Sequence, residues 1–395
     1  MSSVDPPLRD GDLSTSSDPD ARPPLRHVLA VCATAAQLSG DSRGARVLWD
    51  SRALYRSMLR WGAGSVVPIR HVARWQPPLV TAARGLSHAP GTSARWRSTS
   101  LSRALRDLAQ SLHVDAPPDA QALYGHITFP TARHLPTLWS TQGVLDANPG
   151  IWFPDQSART HERFAQRASA VQCWSELGRR GLLERADRID ESRVRVVPPL
   201  VYVDLPHPRG SPSSDPQRWG HSESSGDPDV TAVFVGAEGR RKGLLTLLAA
   251  MGRIGAGVRL RVVTADPRPA ELPSSVTWLG SIPREQVLAE LCRADIHVLP
   301  SQSESFGGVV VEALAAGLAQ VLAASSVPAE IAGPTAVLAD ARDPASLADA
   351  IETLAGDPSL RLSLGMAAKE RYDAIYSPAA VGPKLAALVE LACGA

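Results

Sequence analysis

From residue 230 onward, short apolar runs alternate with stretches whose apolar positions recur every three or four residues. The runs at 230–235, 258–264, 276–279, 296–299 and 320–324 lack the in–out alternation of a half-exposed strand, which predicts strands covered on both faces. Between them the pattern predicts helices at 243–253, 284–293 and 308–316, and residues 345–392 read as mostly helical. The first half is noisier. It predicts strands at 27–32, 66–69, 122–127, 137–140, 170–174 and 194–197, and helices near 45–61, 101–112, 158–168 and 176–186. Strand–helix alternation on both sides is the signature of parallel α/β units. Residues 208–229 are rich in Ser, Pro and Gly, carry almost no large apolar side chains, and read as a linker. The expected organisation is a disordered tail at 1–26, a Rossmann-like domain at 27–207, the linker, and a second Rossmann-like domain at 230–395. The two would share a cleft.

Composition agrees with that division. A chain of 395 residues is too long for one ordinary core. Its 44% hydrophobic and 21% charged content is that of a soluble globular protein. A net charge of +1 gives no global reason to expect a nucleic-acid partner. The cysteines Cys32, Cys173, Cys292 and Cys393 form no CxxC pair, against a zinc site or disulfide framework and in keeping with a reducing compartment. With no apolar run of about 18 residues and no apolar core in the N-terminal tail, the expected address is cytoplasmic. The charge is uneven, however. Between Arg43 and Arg106 stand twelve arginines and one acid, Asp50. The helix expected at 45–61 would carry Arg52, Arg56 and Arg60 on one stripe and Val47, Leu54, Met58 and Trp61 on another. Such helices lie on anionic membrane surfaces, and a solvated face of an arginine-rich chain gives the same pattern.

The chemistry concentrates at Ser303-Glu304-Ser305-Phe306-Gly307-Gly308-Val309-Val310-Val311-Glu312. Glu304 falls between a strand and a helix, and Glu312 inside that helix among apolar residues. A carboxylate there is costly unless something polar meets it, and the expected partner is a ligand. Amides of Phe306, Gly307 and Gly308 belong to the first helical turn and lack intrahelical acceptors. Glycine lets a bulky anion approach them, which points to phosphate. Gly308 and Glu312 are i and i+4 on one face, about 6 Å apart along the axis. A ribose attached to that phosphate would meet Glu312, and Glu304 would face the other end of the ligand. A second candidate is the turn Gly236-Ala237-Glu238-Gly239-Arg240-Arg241-Lys242-Gly243 after a strand. Lys242 is one of only three lysines in the chain and suits a diphosphate as a point charge. A third is Gly280-Ser281-Ile282, whose backbone could pair with a nucleobase edge.

Phe234-Val235-Gly236, Lys242-Gly243, Leu279-Gly280, Pro300-Ser301, Glu304-Ser305-Phe306-Gly307 and Glu312-Ala313, in that order, resemble glycosyltransferase family 4, retaining enzymes of GT-B architecture. The resemblance covers roughly residues 230–392. It implies that Glu312 binds the nucleotide ribose, Lys242 the diphosphate and Glu304 the sugar hydroxyls. Amides near Phe306 to Gly308 would contact the donor, and Gly280 to Ile282 would lie by the base. It implies a nucleotide-sugar donor, no metal, no cofactor, and a final helix that returns to the first domain. Several positions depart from the family pattern, among them Gly317-Leu318-Ala319-Gln320 in place of Gly-x-Pro-Val, Ser39-Gly40-Asp41-Ser42 in place of a Gly-Gly loop, and two at candidate site positions. Ala237 replaces an arginine, whose charge Arg240 or Arg241 would supply. Gln142 stands where the first domain has a histidine; it can hydrogen-bond a sugar but cannot titrate. The acceptor would be handled by the first domain, and the basic stretch at 43–106 suggests an anionic or lipid-linked one. Rival readings are a nucleotide-sugar or glycan binder without turnover, and an epimerase of the same shape. Donor hydrolysis separates the first from an enzyme, and epimerised donor would reveal the second.

Overall fold

The computed structural model describes residues 28–32, 120–124, 137–141, 165–185, 189–199, 201, 203, 205, 230–301, 304 and 306–394. The N-terminal tail, the linker at 208–229, the basic stretch at 43–106, and the expected strand at 66–69 and helices at 45–61 and 101–112 lie outside these residues.

Two parallel sheets form the frame. The first runs in sequence order: β1 (Val28–Cys32), β2 (Ala120–Tyr124), β3 (Thr137–Thr141), β4 (Ala170–Cys173) and β5 (Val194–Val196). β2 begins two residues before its expected start. Helix α1 (Glu176–Arg185) follows β4.

The second sheet holds β6 (Val230–Val235), β7 (Val258–Val263), β8 (Val276–Gly280), β9 (Ile296–Leu299), β10 (Ala319–Ala323) and β11 (Ala336–Ala339), in the order β11-β10-β9-β6-β7-β8. Its crossings are α2 (Leu244–Met251), α3 (Arg284–Arg293), α4 (Gly308–Ala315) and α5 (Val327–Ala332). All residues of β9 and β10 are buried, as expected for strands covered on both faces. Neither α5 nor β11 was read from the sequence. The Ala-Val-Leu-Ala of β11 is too short for its period to register, and six residues make barely a turn and a half.

The strand order matters for function. The chain steps outward from β6 to β7 and β8, then returns to lay β9 on the other side of β6, with Ala232 opposite Ile296 and Val233 opposite His297. At such a reversal the loops leaving adjacent carboxyl ends diverge and open a crevice. The loops leaving β6 and β9 are 236–243 and 300–307. At the opposite edge Asp295 closes the pair: its Oδ2 accepts from the Thr231 amide at 2.7 Å.

After α6 (Pro344–Gly356) and α7 (Pro358–Arg371), a π-helical turn at Tyr372–Tyr376 leads into α8 (Pro378–Gly394). Helix α8 packs against β2, β3 and β4 of the first sheet. One apolar cluster accordingly runs from Leu138, Ala170 and Trp174 through Val381, Leu385 and Leu388 to the core beneath α2 and α4. Glu330, on α5, adds a polar tie. Its carboxylate accepts from the amides of Glu176 at 2.6 Å and Leu177 at 2.9 Å, so the second half caps the first turn of α1.

Candidate active site

The loop after β6 is bent by two close approaches. An ideal Cβ on Gly236 would stand 2.4 Å from Cδ of Lys242, so the lysine stem lies directly across that glycine. Gly243 has φ +78°, and a Cβ there would fall 2.3 Å from the Pro300 carbonyl oxygen. Only glycine fits both constraints. The turn is thereby pressed against the start of the β9 loop, which delivers Lys242 to Glu304: Nζ to Oε1 is 2.7 Å, with both side chains largely buried at 12% and 7% exposure. Arg241 Nη1 stands 3.6 Å from the same oxygen, while its Nε bonds Glu238 at 2.7 Å. Ser301 Oγ donates to Glu304 at 3.4 Å. Arg240 is exposed, and its backbone amide is turned to Asp266. Of the two arginines offered as the second cation, Arg241 is the one that reaches this carboxylate.

Helix α4 starts from Gly307, which sits at φ +82° and caps it without any side-chain hydrogen bond. Gly308 opens the first turn, and among the described residues nothing beyond its chain neighbours and its own helix comes within 4 Å of where its Cβ would be. Among the described residues the start of the helix is thus open on that side, four residues after the Glu304 that holds Lys242. Phe306 anchors this corner from behind, edge-on to Trp174 at 6.2 Å and to Tyr376 at 6.4 Å between centroids. One turn along the helix Glu312 is buried and meets a side chain that was not read from the sequence. Arg284 Nη1 lies 2.6 Å from Oε1. Arg284 is the first residue of α3, directly after the turn Gly280-Ser281-Ile282-Pro283. Gly280 has φ +69° with nothing among the described residues, beyond its chain neighbours, within 4 Å of its would-be Cβ; Ser281 is exposed, and Ile282 packs against the core beside Leu279. Gln142 and Ser305 lie outside the described residues.

Arg284 was missed by the sequence reading, and a signal existed. A cation in the first turn opposes the helix dipole, so its presence there asks for a reason. His297 was missed as well. It is wholly buried in β9, with Nδ1 2.8 Å from Gln320 Oε1 on β10. The amide group of Gln320 points at the Val310 carbonyl, so its oxygen accepts and the imidazole proton sits on Nδ1. Nε2 has no partner. Burial pushes the His297 pKa down to about 4; the nearby Lys242 charge lowers it further and the Gln320 hydrogen bond opposes them. His297 is therefore neutral at pH 7. The buried Cys173 thiol is pushed up to about 12, chiefly by burial, and is no nucleophile. Among the described residues no cluster of three or more His, Cys, Asp or Glu is placed to hold a metal ion, and no helix is long and apolar enough to cross a membrane.

The arrangement offers a cation, an open helix mouth and two buried carboxylates around one crevice at a strand-order reversal. The family model described as glycosyl transferases group 1 matches residues 229–357, the span that contains all of them except the first-domain candidate Gln142. Residues 229–357 are a glycosyl transferases group 1 domain. A D-inositol 3-phosphate glycosyltransferase of Corynebacterium diphtheriae is 35% identical over 136 residues, 34% of this chain and 32% of that protein. The chain spans between about a quarter and about half the length of the curated relatives it first matches. Solved structures extend the likeness to both sheets. The sucrose-phosphate synthase of Thermosynechococcus elongatus superposes with a TM-score of 0.65 at 17% identity, covering 92% of this chain and 98% of that one. The HepE protein of Anabaena, in complex with UDP and glucose, does so with a TM-score of 0.59 at 15% identity, covering 92% and 99%. The fold is GT-B, and the stretch that matches the glycosyl transferases group 1 model lies within its second half.

Proposed function

We propose that this chain is a retaining glycosyltransferase, moving a sugar from a nucleoside-diphosphate sugar to an acceptor hydroxyl without a metal ion. The observation that carries the reading is the 2.7 Å contact of Lys242 with Glu304 beside the uncapped mouth of α4. Lys242, Arg241 and the amides of Phe306 to Gly308 stabilise charge as it grows on the departing diphosphate, the role a metal would otherwise fill. Ser305 and Phe306 border the sugar, and Glu304, already fixed by Lys242, accepts from its hydroxyls. Glu312 accepts from the ribose, and Gly280 to Ile282 meet the base. The anomeric carbon gains oxocarbenium character, the acceptor attacks on the face the phosphate leaves, and the phosphate takes the proton. Gln142 assists by hydrogen bonding. No residue then has to act as a separate base.

Uridine is the first base to test, since the Anabaena neighbour was solved with UDP. An anionic acceptor fits the basic stretch at 43–106, and a relative bears the name of an inositol phosphate enzyme. The experiment is steady-state transfer with a panel of nucleotide sugars, with and without EDTA, on the wild type and Lys242→Ala. Turnover is expected to survive EDTA and to fall at least about tenfold in the variant, since a charged contact is worth about 1.5–3 kcal/mol. Equal rates in Lys242→Ala and wild type would overturn the reading.

A further inference from the structure

Arg284 performs no step in that mechanism, yet it makes the contact that fixes Glu312. A glutamate on a helix has three rotatable side-chain bonds, and each orientation it samples is one in which a ribose would find the wrong geometry. The guanidinium removes that freedom by taking Oε1 at 2.6 Å. It does so from the first turn of α3, whose preceding turn holds Gly280. Gly280 ends the strand that leads into α3, which carries Arg284, and Gly308 opens α4, which carries Glu312. A second arginine-bound carboxylate, Glu290 on α3, is engaged on both oxygens by Arg261. The closest contact from Arg284 is to Oε1 of Glu312, and among the described residues no hydrogen bond reaches the second oxygen.

We propose that Arg284 is a positioning residue that sets the preference for ribose over deoxyribose in the bound nucleotide: it holds one oxygen of Glu312 so that the other meets the vicinal hydroxyls. This rests on the assignment of Glu312 to the ribose. It makes sugar selectivity depend on an arginine that touches no part of the nucleotide.

The test is calorimetric titration of UDP, GDP and ADP, their 2′-deoxy forms, and inorganic pyrophosphate, against wild type, Arg284→Met, Arg284→Lys and Glu312→Ala. Wild type is expected to prefer the ribonucleotide by about tenfold or more, as for a hydrogen bond to a charged group. Arg284→Met should reduce that ratio below about threefold while pyrophosphate affinity stays unchanged, which also reports an intact fold. Arg284→Lys should restore part of the ratio. Adding Arg284→Met to Glu312→Ala should change nothing further, because the two act through one contact. Full selectivity in Arg284→Met, or an equal loss for ribo and deoxy forms, overturns the proposal alone. A wild-type protein that binds none of the nucleotides sinks both this proposal and the assignment beneath it.

Discussion

Glu290, towards the end of α3, and Glu312, in α4 beside the start of α3, are equally buried, each with a side chain 8% exposed, and each meets an arginine. Their surroundings differ. Glu290 takes Nε and Nη2 of Arg261 at 2.5 and 3.0 Å, one on each oxygen, and Arg293 adds a third contact at 3.4 Å. That pair ties α3 to β7 and is complete within the protein. Glu312 sits in the helix that follows a strand-order reversal; the closest contact of its arginine is to one oxygen, and among the described residues no hydrogen bond reaches the other. Burial and charge pairing are common to both, so neither marks a binding carboxylate. What separates them is whether the donors the protein supplies fill the carboxylate.

The largest expected effect breaks the comparison in two. Glu290→Ala leaves Arg261 unpaired at the edge of the core and should lower unfolding free energy in urea by about 3–4 kcal/mol, leaving nucleotide affinity within about twofold of wild type. Glu312→Ala should weigh on the ligand instead: at least about tenfold weaker nucleotide binding, with a smaller stability loss than Glu290→Ala, because fewer hydrogen bonds break with it. If both variants moved the same quantities by the same amounts, the distinction between filled and half-filled carboxylates would fail.

Next in size is His297, a buried polar group whose Nε2 is also unfilled, although it lies in the sheet rather than on a loop. Its folded pKa, about 4, lies below its ordinary 6.5, so the unfolded chain binds more protons between those values. Its contribution is present above pH 6.5 and is lost as pH falls towards 4, about 3 kcal/mol across the window. Melting curves of His297→Leu at pH 7 and 5 should show a smaller drop than wild type. Parallel drops would place the acid sensitivity elsewhere. The smallest effect concerns the joint. Glu330→Gln keeps one acceptor for the amides of α1 but loses the charge that complements the helix start. It should cost on the order of 1 kcal/mol in thermal unfolding.

How much of this was legible follows from how local each feature is. The strands of the second half could be read because buried runs of Val, Leu and Ile carry their own pattern. Glu304, the Gly307-Gly308 step and Glu312 could be read because their spacing along one loop and the helix it opens fixes their relative places. The partner of Glu312 could not, since twenty-eight positions separate Arg284 from it and only the packing of α3 beside α4 joins them. His297 and Gln320 stood in plain view as polar residues within apolar strands, but their meeting depends on the register of β9 against β10. The cap that Glu330 places on α1 spans the two halves and is invisible to any local pattern.

The most direct measurement is the structure of the protein with a nucleoside diphosphate bound, UDP first. The pyrophosphate should lie against the amides of Gly307 and Gly308 with Lys242 Nζ in hydrogen-bonding range. The ribose hydroxyls should sit on Glu312, with Arg284 still in place behind it. A nucleotide bound away from the reversal between β6 and β9, or a ribose out of reach of Glu312, would contradict this assignment of the site.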